Sequence, residues 1–341
     1  MRYKLFGHSG LRVSELSLGT MTFGTEWGWG ADWDTSKAIF DTYAEAGGNF
    51  IDTANRYTEG TSEKFVGELT RADRDHFVIA TKYTLYDRTG DPNFGGNHRK
   101  NLIRSVEASL KRLQTDYIDI LWLHAWDFTT SVQEIMRGLD DLVRMGKIHY
   151  LGISDTPAWI VSQANTLAEL RGWSAFAGLQ IEYSLIQRTP ERDLLPMAKA
   201  FDLAVTPWGA IGGGALTGKY LSDNDEPKRL KEGSARLNER STRIARTVVE
   251  CAKEMGVSPA QLAINWTRQK EFTSIPIVGA RKVSHIQDSL GCLTFTIPDD
   301  IMKRLEGASH QDLGFPHEFL QSDGVQQVIF GGTYSDIDFR S

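Results

Sequence analysis

Short apolar runs of strand length alternate along this chain with longer stretches whose apolar residues recur every three or four positions. The runs occupy residues 15–20, 49–53, 77–82, 117–124, 149–154, 178–183, 203–208 and 274–278, which predicts eight strands. A hairpin-like start at 3–13, with His8-Ser9-Gly10 at its turn, precedes the first. Between the runs, Leu102, Ile103, Val106, Leu110 and Leu113 form one helical stripe. Val132, Ile135, Met136, Leu139, Leu142 and Val143 form another. Ser131 with Glu134 reads as a capping box. Thr156-Pro157, Thr189-Pro190 and Ser258-Pro259 each read as an N-cap followed by proline at the first helical position.

Eight strand-to-helix units predict an α/β chain folded as a (β/α)8 TIM barrel with an N-terminal β-hairpin and a C-terminal extension. The competing doubly wound sheet would carry G-x-G-x-x-G at its first strand–helix turn, and no such pattern exists here. The barrel is expected over residues 1–310 and a tail over 311–341. The tail has no clear periodicity and either folds over one barrel face or hangs free. A charge-rich insert at 222–236 follows the seventh strand, as a lid over a ligand or as a solvated loop.

Charge and composition narrow the function. In 341 residues, 38 Lys+Arg stand against 44 Asp+Glu, a net charge of −6, and this mild acidity argues against a nucleic-acid partner. Cys251 and Cys292 lie far apart and outside any C-x-x-C, which excludes a disulfide framework and a zinc ribbon. No apolar segment opens the chain as a signal peptide would, and no run reaches the ~18 residues of a membrane span. The protein is read as cytoplasmic, with no membrane partner.

In a barrel, reactive groups belong at the C-terminal ends of strands. Asp52 ends the second run with Tyr57 in the loop behind it, Lys82 ends the third and His124 the fourth. Each alone has an ordinary explanation: a turn carboxylate, a rim aromatic, an exposed charge, a core histidine. Their coincidence at consecutive strand ends favours one site. An ammonium beside a phenol lowers its pKa from ~10, a carboxylate keeps that lysine protonated, and the histidine can orient a carbonyl or relay its proton. Such a set polarises and protonates a carbonyl as a hydride arrives.

Two further stretches suit anions. Gly213 to Lys219 fits G-x-x-x-x-G-K, but Tyr220 stands where a P-loop needs Ser or Thr on magnesium, so a triphosphatase is rejected. The loop's N–H groups can still cradle a pyrophosphate. Gly279-Ala280-Arg281-Lys282 leads into a helix with Val283, Ile286 and Leu290 on one face and His285, Asp288 and Ser289 on the other, a second anion site at a helix start. Trp27, Trp29 and Trp33 after the first strand, with Trp126 and Phe128 behind His124, predict an apolar pocket or contacts to the tail.

FIDTANRYTEGTSEKFVGEL (50–69), ATKY (80–83), DYIDILWLH (116–124), GISD (152–155), QIEYSLIQR (180–188), ALTGKY (215–220) and PIVGARK (276–282) follow in matching order. On these the chain resembles the aldo-keto reductase superfamily. The likeness is nearest to bacterial aryl-alcohol-dehydrogenase-like members and more distant to potassium-channel β subunits. It implies a barrel binding extended NADPH without a Rossmann domain, with a catalytic tetrad on Asp52, Tyr57, Lys82 and His124. It implies nicotinamide contacts at Ser154, Asp155 and Gln180, stacking by Trp208, and a pyrophosphate site along Gly214 and Lys219. The adenosine 2′-phosphate falls to Arg281, His285, Asp288 and Ser289, with Thr20, Gly209, Ile211, Arg236 and Gly279 also against the cofactor. Asp155 replaces the family's usual asparagine, Gly209-Ala210-Ile211 its Ser-Pro-Leu, and His285, Asp288 and Ser289 its Gln, Glu and Asn.

The expected activity is NADPH-dependent reduction of aldehydes or ketones, aromatic or medium-chain ones favoured, in a pocket including Trp27, Trp29 and Trp126. An NADPH-sensing regulatory subunit is the alternative. A metal-dependent barrel hydrolase lacks any H-x-H or H-E-x-x-H. A homo-oligomer is compatible with these features.

Overall fold

A computed structural model describes residues 1–221, 230–231 and 233–338. Eight parallel strands form a nearly closed barrel: β3 (Ser17–Gly19), β4 (Phe50–Asp52), β5 (Val78–Tyr83), β6 (Ile118–Leu123), β7 (Ile148–Ser154), β8 (Phe176–Glu182), β9 (Ala204–Trp208) and β10 (Ile277–Gly279). β10 pairs with β3, and a bridge from Val205 to Ser274 brings the last strand segment back to β9. The expected eighth strand, 274–278, is divided between its two neighbours. Ser274 bridges to Val205 of β9. The chain then crosses to β3, where the Ser17 N–H donates to the Pro276 carbonyl at 3.0 Å and regular pairing runs over Ile277–Gly279.

Helices α1 (Trp33–Glu45), α2 (Thr61–Thr70), α3 (Arg99–Leu113), α4 (Val132–Arg144), α5 (Ala158–Arg171) and α6 (Leu194–Ala200) cover the first half of the barrel wall. They are followed by α7 (Glu239–Met255), α8 (Pro259–Arg268), α9 (Val283–Leu290) and α10 (Asp299–Ser309). Their apolar stripes bury against the outward faces of the strands: Leu102, Val106, Leu110 and Leu113 of α3 are in the core, whereas Ile103 faces out. The caps are met in part. Ser258 and Gln261 close a full capping box. Ser131 caps α4, but the Glu134 carboxylate accepts from the Arg99 N–H on α3 instead. The two remaining Thr-Pro expectations fail: Thr156 turns its hydroxyl back to the Ser154 carbonyl, and that of Thr189 goes to Gln187.

The hairpin of β1 (Tyr3–Leu5) and β2 (Arg12–Ser14) lies beneath the barrel. Phe6 enters the interior and meets Phe50 and Trp122 edge-on, at 6.0 and 5.9 Å. Phe50, Val78, Ala80, Ile120, Trp122 and Ala204 fill the barrel around it. The lumen is therefore a packed core, and any ligand must bind above it. Two glycines make room: a Cβ on Gly178 would collide with the Phe6 ring, and one on Gly152 with the Trp122 indole.

The tail forms α11 (His317–Gln321) and α12 (Asp323–Phe330), each too short for a readable stripe. Arg192 donates to the Phe315 carbonyl at 3.0 Å, and His317 lies 3.6 Å from Asp193. Of the charge-rich insert expected as a lid or a solvated loop, residues 222–229 and 232 lie outside the described residues. Among the described residues no helix is long and apolar enough to cross a membrane.

Gly152→Ala is expected to lose about 1–3 kcal/mol of stability by overpacking, read as a lower urea midpoint. Placing it in a Trp122→Leu background should recover part of its own cost. An unchanged midpoint in the single variant would contradict the packing described.

Candidate active site

Strand ends gather the expected tetrad. Asp52 closes β4, and Tyr57 opens the 3₁₀ turn Tyr57–Gly60 that follows. Lys82 stands one residue before the end of β5, and His124 comes directly after β6. Register sets Asp52 beside Ala80 and Lys82 beside Trp122, so both charged side chains point inward at the top of the packed lumen.

Lys82 is fully buried. Its Nζ donates to Asp52 Oδ2 at 2.5 Å and to the Thr53 carbonyl at 2.8 Å. The other Asp52 oxygen accepts from Gln180 Nε2 at 2.9 Å, across the barrel mouth from β8. The ammonium lies 4.8 Å from the Tyr57 ring centroid. Burial alone would lower the Lys82 pKa, but Asp52 and Tyr57 outweigh it and hold the group above its ordinary value. It is an ammonium throughout the accessible pH range.

Tyr57 departs from the sequence expectation. Burial raises its pKa, and the opposing pull of Lys82 does not cancel that, with Asp52 and Asp155 adding to the rise. The phenol of the free site therefore stays protonated. His124 is also neutral: burial and then Lys82 push it down to about 3. Its ring meets Tyr57 edge-on at 6.1 Å, and Nδ1 is buried with no partner. A buried N–H without an acceptor is costly, which assigns the proton to Nε2 and makes the ring a neutral donor.

The remaining expected residues line the same rim. Thr20 Oγ1 donates to the Asp52 carbonyl at 2.9 Å. Ser154 ends β7 and is buried. Asp155 follows it with φ 40°, and its Oδ1 accepts from Trp208 Nε1 at 3.2 Å. Desolvation pushes the Asp155 carboxyl up to about 6, with Glu182 adding and Trp208 and Lys82 opposing. Trp208 ends β9 and Gly209 turns the chain out beside Glu182, with Ile211 packed on the core.

Gly212, Gly213 and Gly214 all have positive φ, which L-residues avoid, and a side chain on Gly214 would meet Lys219 Cε at 2.6 Å. This is a backbone cradle with an amine over it. Arg236 pairs with Glu182 at 2.6 Å and lies 5.6 Å over the Trp208 ring. Glu182 was not singled out in the sequence, although it too is a polar residue at a strand end.

Gly279 ends β10, and Arg281 and Lys282 precede α9. Partial burial and then the charges of Arg281, Lys282 and Lys219 hold His285 below its usual value, which identifies one cationic cluster at a helix start. Asp288 is engaged elsewhere, accepting from Ser258 at 3.0 Å and Gln261 at 2.9 Å, and the Ser289 hydroxyl bonds back to the His285 carbonyl. A pyrophosphate cradle, an adjacent cationic cluster and a buried acid–amine set on one rim fit an extended dinucleotide.

In the loop after β3, Trp27 and Trp29 are half-buried neighbours, 5.7 Å apart, and Trp126, after β6, packs against the core. Trp33 was grouped with them in sequence, but it begins α1 and packs edge-on on Phe65 of α2 at 5.0 Å, away from the mouth. Phe128 is exposed.

The model of the aldo/keto reductase family matches residues 15–310. The chain is 38% identical to a norsolorinic acid reductase of Aspergillus flavus, over 98% of this chain and 87% of that protein. It is also 38% identical to an aryl-alcohol dehydrogenase [NADP(+)] of Phanerodontia chrysosporium, over 94% of this chain and 88% of that protein. An aldo-keto reductase of Aspergillus calidoustus is 38% identical over 94% of this chain and 85% of its own length.

Asp155 provides a test with a definite sign. Its folded pKa of about 6 lies above the ordinary ~3.9, so the folded chain holds a proton that the unfolded chain lacks between those values. Stability from this group is present at low pH and lost as pH rises through 6. Asp155→Asn should raise the Tm at pH 7, and the gain should vanish as pH falls toward 4. An equal Tm difference at both pH values would show that the carboxylate is not strained.

Proposed function

The chain belongs to the aldo/keto reductase family, and from that premise we propose that it reduces aldehydes or ketones to alcohols with NADPH, Tyr57 giving the proton. The carrying observation is the Asp52–Lys82–Tyr57 arrangement beside neutral His124 on the rim that also bears the anion cradle. Residues 212–214 and Lys219 would hold the pyrophosphate, Arg281 with Lys282 and His285 the 2′-phosphate, and Ser154, Asp155, Gln180 and Trp208 the nicotinamide. Bound there, the reduced nicotinamide supplies the hydride.

The chain's own residues manage the proton. His124, neutral and protonated on Nε2, donates a hydrogen bond that orients the carbonyl oxygen. Tyr57 holds its proton in the free site because its burial disfavours the phenolate. As negative charge grows on the substrate oxygen, that proton moves across and the charge settles on the phenol. Lys82 then faces a phenolate, so its attraction is stronger in the transition state than in the ground state, the condition for accelerating a step. Asp52 keeps the ammonium charged and in place, and Gln180 keeps Asp52 in place. Solvent restores the Tyr57 proton after the alcohol leaves.

Aromatic carbonyls are the favoured substrates. Trp27, Trp29 and Trp126 give the mouth flat apolar walls, and relatives named for aryl alcohols and norsolorinic acid agree with that choice.

Tyr57→Phe should lower the rate of NADPH consumption on an aromatic aldehyde by at least ~100-fold, as loss of a general acid does, with unchanged folding by circular dichroism. Retained turnover would remove Tyr57 from the mechanism. Arg281→Ala should raise KM for NADPH about tenfold, the effect of losing one charged contact, and leave KM for NADH within twofold. Equal losses with both cofactors would place the 2′-phosphate elsewhere.

A further inference from the structure

Tyr57 is followed by a turn that the tetrad alone does not explain. Thr58 and Glu59 have φ of 45° and 55°, and Gly60 continues the left-handed run at 89°. Non-glycine residues avoid this region, and such strain persists only where the surroundings impose it. At Thr58 two bonds impose it: its hydroxyl donates to the Phe23 carbonyl, in the loop after β3, at 2.6 Å and accepts from the Ser62 N–H at 3.1 Å. At Glu59 the backbone is buried in no such lock. Only its side chain reaches other loops.

That side chain reaches one of them directly and a second through Arg56. Glu59 Oε1 accepts from Trp27 Nε1 at 3.2 Å, and Oε2 pairs with Arg56. Arg56 in turn donates to the Tyr86 hydroxyl at 3.1 Å, with its guanidinium 4.6 Å from the centre of that ring. Trp27 sits at the tip of a tongue whose base is bonded from Ala31 N–H to Thr22 and from Gly24 N–H to Ala31. Tyr86 belongs to the loop after β5. The chain Trp27–Glu59–Arg56–Tyr86 thus ties three strand-end loops together around the proton donor.

We propose that Glu59 is a positioning and specificity-determining residue, which pins Trp27 to the turn of Tyr57 and so sets the width of the pocket for aromatic carbonyls. The strained turn is what aims the carboxylate at Trp27. Because Glu59 is exposed, its ion pair with Arg56 is screened and weak by itself. The function lies in connecting the loops, and it depends on both ends being held. Small carbonyls reach Tyr57 without touching the tongue and do not depend on it. This rests on the reductase reading above.

The experiment is a double-mutant cycle of Glu59→Ala and Trp27→Phe, with kcat and KM for 2-naphthaldehyde and for propanal, and hydrogen exchange of residues 22–31. Either single variant should raise KM for 2-naphthaldehyde about tenfold, the size of one hydrogen bond to a charged group, with kcat within twofold. For Glu59→Ala, propanal kinetics should stay within twofold, and on 2-naphthaldehyde the double variant should be no worse than the worse single. Glu59→Gln keeps an acceptor for Trp27 and should recover most of the loss. Glu59→Gly relieves the backbone but loses the side chain, and should behave as Glu59→Ala does. In each variant lacking the acceptor the tongue should exchange faster than in the wild type. Additive losses, equal losses on both aldehydes, or an unchanged tongue would overturn the proposal. If the wild type reduces neither aldehyde, the reductase reading falls, while exchange in the tongue still decides whether Glu59 pins Trp27.

Discussion

The structure turns on one buried ion pair, Lys82 with Asp52. Removing an ammonium and a carboxylate from water costs several kcal/mol per ion, and only close geometry and further hydrogen bonds offset it. Both conditions are met by main-chain placement: the Thr53 carbonyl accepts a second bond from Lys82, and Gln180 satisfies the second oxygen of Asp52. Neither could be supplied by a flexible loop. The strands β4, β5 and β8 must hold their register for the pair to survive, so the packed lumen below, with Phe6 and Trp122 in it, is part of the site's support.

The pair also acts on the protonation of its neighbours. Lys82 stays charged because Asp52 lies against it, and His124 is kept neutral by burial first and by the field of Lys82 second. Tyr57, withdrawn from water, stays a phenol. Burial therefore keeps an acid and a neutral hydrogen-bond donor side by side, with one fixed positive charge next to both. The same positive charge is available when the phenol gives up its proton. Burial and the ammonium act in opposite directions on Tyr57, which in the proposed reaction lets the group be protonated beforehand and tolerated as an anion during it.

The barrel and its tetrad were legible in the sequence because both follow a regular rule. Strand-length runs repeat around the wall, and reactive residues stand at their C-terminal ends, so Asp52, Lys82 and His124 can be read off by position. What escaped depends on contacts between elements distant in sequence. Glu134 was expected to close its own cap but bonds to Arg99 on another helix. Trp33 was grouped with Trp27 and Trp29, yet the start of α1 turns it onto Phe65. The direction of the Tyr57 shift required knowing how far burial outweighs Lys82, which no spacing reveals. Glu182 and Glu59 went unmarked, the first although it obeys the strand-end rule and the second because its left-handed backbone leaves no sequence signal.

Rigid and adjustable parts are divided in this molecule by backbone type. Asp52, Lys82, Ser154 and Gln180 are carried on strands, whose ladders fix them from both sides, and His124 and Tyr57 follow on strand ends. The walls proposed for a substrate stand on loops, and those loops are joined to one another by side chains, as in Trp27–Glu59–Arg56–Tyr86. Loop-to-loop bonds can be exchanged by single substitutions without disturbing a strand, so pocket shape can diverge while Asp52, Lys82 and Tyr57 remain where they are. Asp155 lies on the boundary between these two parts. It follows the last residue of a strand, has a left-handed backbone and holds Trp208 by a single bond. A carboxylate there is costly in the free protein, and an asparagine would tolerate the same backbone at lower cost. Asp155 is therefore a rim residue whose ionised form opposes the stability of the fold.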